Sequence, residues 1–288
     1  MMCRSGIVTC QARAAADGRV AVGRFTDPVS IRMLRAPERA AVERVRSAAE
    51  PQRTMAWLRY RMLADLADIL AARTVAIDDA VRAAANPQLV VLGAGLDARA
   101  WRMTELAWTV VFEVDHPAAQ SDKRERIGDA DPAAASVRFV PVEFGSAALE
   151  SALEAAGQVA SEPTTWIWEG GVRYLRKPHV ERMLRGIAAR SAPGSRVIVG
   201  YTTRTVHSVL LAPWGVRLWL TLAGAAGAKR EERIRSLWTP AQIAALCTAH
   251  GLDIDTDEDL LGIARALEIP YESPEWLANT RVAVADLP

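Results

Sequence analysis

Residues 89–97, LVVLGAGLD, decide the fold together with residues 110–115, VVFEVD. Each stretch is an apolar run that ends sharply, the first in a glycine turn and the second in an acidic residue about twenty positions later. A parallel sheet forms a nucleotide-type pocket in this way, at the carboxyl ends of its strands. The glycines let the turn approach a ligand closely, and the carboxylate meets the ribose hydroxyls. We therefore predict a site for an adenosine-containing cofactor.

The sequence between residues 86 and 201 alternates between short apolar runs and helical patterns. Strands are predicted at Leu89–Leu92, Thr109–Val114, Val137–Val142, Thr165–Trp168 and Arg196–Tyr201. Helices are predicted at His116–Ile127, Ala147–Ala156 and Pro178–Arg190. This alternation predicts the α/β class, with a Rossmann-like, doubly wound and mostly parallel sheet.

We predict one domain over residues 1–288. Its parts are an N-terminal helical extension (1–85), a cofactor-binding core (86–201), a lid or substrate insertion after the fifth strand (202–238), and a C-terminal helix with strands (239–288). The first residues are expected to fray, and the helical pattern begins near residue 37. Near the C-terminus, a helix is predicted from Thr239-Pro240 to His250, with strands at Leu252–Thr256 and Arg281–Ala285.

The composition of the chain limits the classes of function that we expect. The chain has 288 residues, a net charge of +1 and 50% apolar residues, which is typical of a soluble globular protein. This balance gives no reason to expect nucleic acid or an anionic membrane as a partner. The three cysteines are too few and too scattered for a disulfide framework or a zinc site, so we expect no metal and a cytoplasmic location. The most apolar stretch, Val206 to Ala228, is interrupted by Pro213 and Arg217, which argues against a membrane span.

The glycine turn alone does not identify the cofactor. Residues 93–98 fit GxGxxA, a tolerated form of the NAD fingerprint, so the spacing leaves a dehydrogenase open. Two features favour another ligand. Residues 97–102, DARAWR, place a bulky charged segment where a pyrophosphate needs a helix N-terminus. Glu169 also closes an apolar strand before two glycines, and a carboxylate there suits a ligand with a positive group. S-adenosylmethionine carries two such groups, a sulfonium and an ammonium.

At this point the chain resembles the leucine carboxyl methyltransferase family, in particular its bacterial S-adenosylmethionine-dependent branch. The resemblance rests on residues 72–79 (ARTVAIDD), 89–103 (LVVLGAGLDARAWRM), 110–117 (VVFEVDHP) with Lys123 downstream, 137–144 (VRFVPVEF) and 166–175 (WIWEGGVRYL). Their order and spacing agree over about Asp27 to Tyr201. The resemblance implies a fold of the class I methyltransferase type, with S-adenosyl-L-methionine as cofactor and S-adenosyl-L-homocysteine as product.

The resemblance also implies roles for individual residues. Arg73 pairs with the cofactor's carboxylate, Asp115 takes both ribose hydroxyls, and Glu169 faces the cofactor's ammonium or the methyl-transfer centre. Glu143, where the family usually has Asp, meets the adenine amino group. The predicted cofactor-binding residues are Arg73, Gly93, Ala94, Gly95, Asp97, Glu113, Asp115, His116, Glu143, Phe144 and Glu169.

Structural roles remain open for several of these residues. Arg73 can be solvated in a helix turn, Asp115 can cap the following helix, and Glu143 can be a surface residue at a strand end. Glu169 is harder to explain structurally, because an unpaired charge beside an apolar strand is costly.

Family members methylate the C-terminal carboxylate of a phosphatase subunit or the carboxylates of small metabolites. Arg173 stands where relatives commonly have an apolar residue, and a guanidinium suits recognition of a carboxylate. The predicted substrate-binding residues are Arg173, Tyr174, Tyr201, Arg204 and Trp214. The predicted catalytic residues are Glu169, Tyr174 and His207. Arg173 can instead form a surface ion pair, His207 can be a lid or core residue, and Trp214 can serve packing.

We therefore predict an S-adenosylmethionine-dependent O-methyltransferase acting on a small-molecule or peptide carboxylate, with a homodimer left open. A carboxylate acceptor is ionised at neutral pH and needs no general base, whereas a phenol or alcohol needs a base such as His207 or Glu169. Two further functions stay open at this point, an NAD(P)-dependent oxidoreductase and a Rossmann-like binding protein that has lost catalysis.

Overall fold

The computed structural model describes residues 4–143, 149–203, 234–271 and 277–288. Within them lies a seven-stranded sheet of order β3-β2-β1-β4-β5-β7-β6. The strands are β1 (Gln88–Leu92), β2 (Val110–Asp115), β3 (Ser136–Pro141), β4 (Thr164–Trp168), β5 (Arg196–Thr202), β6 (Asp253–Asp259) and β7 (Thr280–Asp286). Strands β1 to β5 pair in parallel, and β7 runs antiparallel between β5 and β6. This confirms the predicted doubly wound, mostly parallel sheet.

The helices pack on both faces of this sheet. They are α1 (Arg4–Ala16), α2 (Ala36–Arg46), α3 (Thr54–Ala84), α4 (Arg99–Arg102), α5 (Pro117–Ile127), α6 (Leu149–Ala155), α7 (Lys177–Ala189), α8 (Pro240–Thr248) and α9 (Leu260–Ala266). Proline in the first turn favours the start of α2, α5, α7 and α8. At the start of α8, the side chains of Thr239 and Gln242 also form a reciprocal capping box.

The side chains of strand β1 show why helices must cover both faces of the sheet. Leu89 and Val91 point into the hydrophobic core beneath α1 and α3, and Val90 and Leu92 point into the core beneath α6, α7 and α8. All five residues of the strand are buried, as expected for a central parallel strand. The carboxyl end of β1 is therefore held rigidly from both sides.

The N-terminus differs from the prediction. Instead of fraying, residues 4–16 form α1, and Cys10, Ala12, Ala14, Ala15 and Ala16 are fully buried. The small alanine side chains let α1 pack closely against α3, which supplies the anchoring that a free terminus lacks. This helix brings Arg13, at 3% exposure, to the carboxyl ends of the strands.

The predicted lid insertion falls mostly on residues 204–233, outside the described residues. Its two ends are described, and they lie together. Thr203 forms a parallel bridge with Trp238, whose backbone N–H donates to the Thr202 carbonyl at 3.0 Å. Residues 203 and 238, on either side of this segment, therefore meet at the carboxyl end of β5.

Strand β6 stands at one end of the sheet order and carries the sequence DIDTDED. Arg196 pairs with Asp255, and Arg281 pairs with Asp257 and Asp259. A register shift between Ile254 and Thr256 interrupts the ladder with β7. In the described part of the chain, no helix is long and apolar enough to cross a bilayer.

Candidate active site

The sheet order brings three predicted site segments together. Strand β1 lies between β2 and β4, so the glycine turn after β1 stands between Asp115 at the end of β2 and Glu169 just after β4. The connections from β1 and β4 leave in opposite directions across the sheet. Ligands of doubly wound proteins bind at such a switch point.

The glycine turn is held directly to Asp115. Gly93 and Gly95 have positive φ angles of 70° and 48°, a conformation that other residues rarely adopt. The Gly95 N–H donates to Asp115 Oδ2 at 2.7 Å, and the His116 N–H donates to Oδ1 at 2.6 Å. Burial raises the pKa of Asp115. A carboxylate has about four acceptor positions, so this half-buried group retains capacity for a hydroxyl ligand.

The segment after the turn offers little to a pyrophosphate. Helix α4 has four residues, and the Arg99 N–H at its start already donates to Asp97 Oδ1 at 2.8 Å. A pyrophosphate site needs free N–H groups and the dipole of a longer helix. The α4 geometry therefore disfavours the dehydrogenase alternative.

Three arginines surround Glu169. Arg13 Nη2 donates to both carboxylate oxygens at 2.8 and 2.9 Å, Arg73 Nη2 lies 2.7 Å from Oε1, and Arg99 Nη1 donates to Oε2 at 2.9 Å. The Glu169 side chain is 11% exposed. Burial alone raises the pKa of this carboxyl, but Arg13, Arg73 and Arg99 together bring it well below its ordinary value. Glu169 is therefore ionised and is a weak base.

Further buried charges support this cluster. The Arg99 guanidinium also binds Asp97, and its Nε donates to Asp78 Oδ1 at 2.7 Å. Arg102 Nη2 donates to Asp78 Oδ2 at 2.6 Å, and its Nε lies 3.6 Å from Asp27. The Asp97 carboxylate, predicted to bind cofactor, is thus occupied by Arg99 and lies at the base of the site.

Four arginines keep a buried, unused donor among the described residues, namely Arg99 and Arg102 at the base of the cluster and Arg73 and Arg173. Arg73 Nε and Arg173 Nε are both buried and find no hydrogen-bond partner among the described residues. Burial lowers the pKa of Arg73, and the nearby charges of Arg13 and Arg173 lower it further. A local excess of positive charge with unused N–H groups suits an anionic group such as the carboxylate of a bound amino acid.

Arg173 and Tyr174 form one unit just beyond Glu169. Arg173 Nη2 donates to the Tyr174 hydroxyl at 2.8 Å, and the guanidinium lies 4.9 Å from the ring centroid of Tyr174. The Arg173 carbonyl accepts the N–H of Arg235 at 2.7 Å, so the described stretch that begins at residue 234 lies against it.

The remaining predicted residues fall into four groups. Ala94 lies in the glycine turn, where its N–H donates to the Val114 carbonyl at 3.2 Å. His116 and Glu143 lie on the exposed rim beyond Asp115, 3.8 Å apart. Glu113 is buried in an ion pair with Lys123, at 2.6 Å, so its contacts are with the protein. Phe144, Arg204, His207 and Trp214 lie outside the described residues.

Tyr201 lies away from this site, contrary to its predicted substrate-binding role. Its side chain is buried in the core, and its hydroxyl donates to Asp257 Oδ2 on β6 at 2.6 Å. Burial and the neighbouring Asp257 raise the pKa of Tyr201. These contacts support a structural role.

Sequence reasoning missed two arginines that contact Glu169, namely Arg99, which lies in the quoted DARAWR segment, and the more distant Arg13. Arg13 lies in an alanine-rich stretch without a clear apolar stripe, 156 positions before its partner Glu169. The unusual feature of that stretch is a single charged residue among small side chains, which is weak evidence by itself. The packing of α1 over the glycine turn gives Arg13 its place: a Cβ on Gly95 would lie 3.8 Å from Gly6.

The sheet order, the glycine turn and the acidic strand ends define a fold of the class I methyltransferase type. The chain belongs to the leucine carboxyl methyltransferase family, whose family model matches residues 6–188. This confirms the family predicted from the sequence.

Similar proteins agree with this assignment. A protein of Mycobacterium sp. (strain KMS), called "Putative S-adenosyl-L-methionine-dependent methyltransferase", is 44% identical over 139 residues, 46% of this chain and 44% of that protein. A protein of Mycobacterium bovis (strain BCG / Pasteur 1173P2) with the same description is 38% identical over 118 residues, 40% of this chain and 37% of that one. The match thus spans less than half of the length of these curated relatives.

A solved structure extends the likeness to the whole fold. A DUF574 family protein from Streptomyces avermitilis aligns with a TM-score of 0.61 at 12% identity, over 100% of this chain and 98% of that one. At this identity the similarity concerns the fold alone.

Proposed function

We propose that the chain is an S-adenosylmethionine-dependent O-methyltransferase that methylates a carboxylate of a small-molecule or peptidic metabolite. The observation that carries this proposal is the arrangement of Arg13, Arg73 and Glu169 beside the glycine turn. It offers both signs of charge to a ligand with an amino-acid end. Family membership and the names of the curated relatives support the same cofactor.

The residues present fit this cofactor. Asp115 can accept the ribose hydroxyls, and such charge-assisted hydrogen bonds contribute about 1.5–3 kcal/mol each. Gly93, Ala94 and Gly95 supply backbone groups beside the methionine part, and His116 and Glu143 border the adenine side. When bound, S-adenosylmethionine supplies a methyl group on a positively charged sulfur.

The amino-acid end of the cofactor binds by replacing the ion pair between Arg73 and Glu169 with ion pairs to its own carboxylate and ammonium. Arg73 has a buried Nε without a partner among the described residues, and Glu169 is its present partner through Nη2. A zwitterion placed between them gives Arg73 a carboxylate and gives Glu169 an ammonium. The number of buried charges of each sign then stays matched, which avoids the cost of an unpaired buried charge. Arg13, which also contacts Glu169, can take part in the same exchange.

The state of Glu169 favours a carboxylate acceptor. Its pKa is well below the ordinary value, so it is poorly suited to remove a proton from a phenol or alcohol near neutral pH. An ionised carboxylate needs no such base. The protein then has to align the acceptor oxygen with the methyl group and exclude water, and orientation of this kind is worth up to about 7–11 kcal/mol.

Arg173 is the proposed anchor of the acceptor carboxylate. Its Nε is unused within the described residues, Tyr174 accepts a hydrogen bond from its Nη2, and Arg235 donates its backbone N–H to the Arg173 carbonyl. Tyr174 then acts by fixing the direction of the guanidinium. Residues Arg204, His207 and Trp214 stay predictions.

Isotope-labelled methyl transfer to a panel of carboxylic acids and phenols tests this function. The expected product is a methyl ester, which releases its label in base. Arg173→Ala should raise the acceptor KM by about tenfold or more with little effect on the affinity for S-adenosylhomocysteine. Arg176→Ala, an exposed arginine on the same segment, is the matched control.

The outcomes separate the candidate functions. A base-stable product, or activity towards phenols alone, contradicts carboxyl methylation. Binding of S-adenosylhomocysteine without transfer to any acceptor favours a binding protein. Binding of NAD in place of S-adenosylhomocysteine overturns the proposed cofactor.

A further inference from the structure

A buried ion pair lies directly beneath the proposed cofactor site. Lys123 of α5 and Glu113 of β2 approach to 2.6 Å, and their side chains are 1% and 2% exposed. Burying such a pair is costly, and apolar residues of similar size often stabilise a core equally well. The position of the pair suggests what it contributes.

Lys123 joins three parts of the fold through one ammonium group. Besides Glu113, its Nζ donates to the Asp97 carbonyl at 2.7 Å and lies 4.9 Å from the ring centroid of Trp101. Asp97 follows the glycine turn by two residues, so α5 and β2 are tied to the far end of that turn. The ammonium therefore holds the turn at a fixed distance from β2.

The same two segments meet again at the site itself. Glu113 and Asp115 are two residues apart on β2 and so share one face of the sheet. Above the ion pair, the Gly95 N–H donates to Asp115 Oδ2 at 2.7 Å. A shift of the turn relative to β2 would change this contact and the placement of both cofactor-binding segments together.

We propose that Lys123 and Glu113 are positioning residues, which act through the glycine turn and Asp115 to set the affinity for the cofactor. This inference rests on the proposed function. It gives Glu113 a role different from direct contact with the cofactor, because its carboxylate faces Lys123. Glu113 Oε2 has no hydrogen-bond partner within the described part of the chain, so the pair depends on Oε1 alone.

The pair should respond to pH near neutrality. Burial raises the pKa of Glu113 to about 7 against the opposing effect of Lys123, and the carboxylates of Asp97 and Asp115 raise it further. Above this pH Glu113 is charged and holds Lys123 by an ion pair. Below it the carboxyl is neutral and holds Lys123 more weakly. The affinity for the cofactor should therefore fall as the pH falls from 8 to 6.

Calorimetric titration with S-adenosylhomocysteine between pH 6 and 8 tests the proposal. Wild type should bind on the order of fivefold more weakly at pH 6 than at pH 8, and Glu113→Gln should bind weakly at both values, with no pH slope. Histidine side chains in general change charge in this range. Because His116 borders the adenine side, His116→Gln is compared for its pH slope alone, whatever its absolute affinity, and it should keep the wild-type slope.

The matched control is Glu38→Gln. Glu38 forms an ion pair with Arg126 of the same helix α5, also at 2.6 Å, but away from the glycine turn. It should leave affinity and slope unchanged. The proposal is overturned if Glu113→Gln keeps the wild-type affinity and slope, or if the slope of wild type disappears in His116→Gln.

The experiment distinguishes a variant that fails to fold from a failure of either proposal. If Glu113→Gln fails to fold, the titrations of wild type and His116→Gln still test the proposal. An affinity of wild type for S-adenosylhomocysteine that does not change between pH 8 and pH 6 overturns it. Wild type that binds no S-adenosylhomocysteine at any pH overturns the proposed function itself. Binding by wild type with an unaltered Glu113→Gln overturns the positioning role alone.

Discussion

Replacing Gly200 by alanine should displace Glu169 without touching its side chain. Gly200 lies on β5 beside the end of β4, where its missing side chain admits the backbone of Glu169. A Cβ added there would lie 3.2 Å from the Glu169 carbonyl carbon and 3.4 Å from its Cα, with the carbonyl oxygen closer still and inside 3.0 Å. Real Cβ atoms do not approach an oxygen so closely, so one of the two strand ends has to move.

The losses of stability and of affinity follow from the distance between the added Cβ and the Glu169 carbonyl oxygen. The Glu169 carbonyl must retreat by about half an ångström, and overpacking of this kind costs about 1–3 kcal/mol. At about 2–4 °C for each kcal/mol, the melting temperature should fall by roughly 2–12 °C. A misplacement of about 1 Å at a site can cost about a hundredfold, so half of that should cost about tenfold in affinity for S-adenosylhomocysteine.

Gly170→Ala provides the matched control in the next turn. A Cβ on Gly170 meets nothing within 4 Å, and the residue directly follows Glu169. Thermal unfolding and calorimetric titration should show loss of stability and affinity in Gly200→Ala and wild-type values in Gly170→Ala. Equal behaviour of the two variants would refute the claim that the close approach at Gly200 sets the position of Glu169.

Three further predictions concern single side chains. Tyr201→Phe should cost about 1–2 kcal/mol in urea unfolding through loss of the hydrogen bond to Asp257, with unchanged cofactor affinity; weaker binding would contradict its structural role. Arg13→Ala should cost about 1.5–3 kcal/mol, because it removes charge-assisted hydrogen bonds to Glu169 while Arg73 and Arg99 still contact that carboxylate; a loss below about 1 kcal/mol in the same assay would argue against the buried contact. The depressed pKa of Glu169 gives stability that is present above its ordinary pKa, near 4.5, and is lost as the pH falls through its folded value, so the melting temperature of Glu169→Gln should fall less steeply with acid than that of wild type; parallel slopes would oppose this sign.

The sheet could be predicted from the sequence because its central strands are continuous apolar runs between clear turn signals. The first strand, predicted at Leu89–Leu92, is observed at Gln88–Leu92, and the fourth, predicted at Thr165–Trp168, is observed at Thr164–Trp168. The glycine turn and the acidic residues after these runs were visible for the same reason. The local sequence pattern was sufficient to predict those features that depend only on one strand and the residues at its end.

Contacts between distant segments could not be predicted in this way. Helix α1 is buried through small alanines, without the apolar periodicity that marks an amphipathic helix, and Arg13 is paired by tertiary packing. Strand β5 is buried on both faces, so alternation could not indicate which way Tyr201 points. Helix α9, Leu260–Ala266, was also not predicted, since it follows an acidic strand with no intervening turn signal.

The acidic composition of β6 bears on how two copies of this chain can meet. An edge strand offers unpaired backbone groups to any neighbour, and proteins commonly protect such edges with charge or a bulge. Here both devices are present, in DIDTDED and in the shift near Ile254. Joining two sheets edge to edge through β6 would set rows of carboxylates against each other. A symmetric pair would therefore have to avoid the β6 edge and associate through another surface.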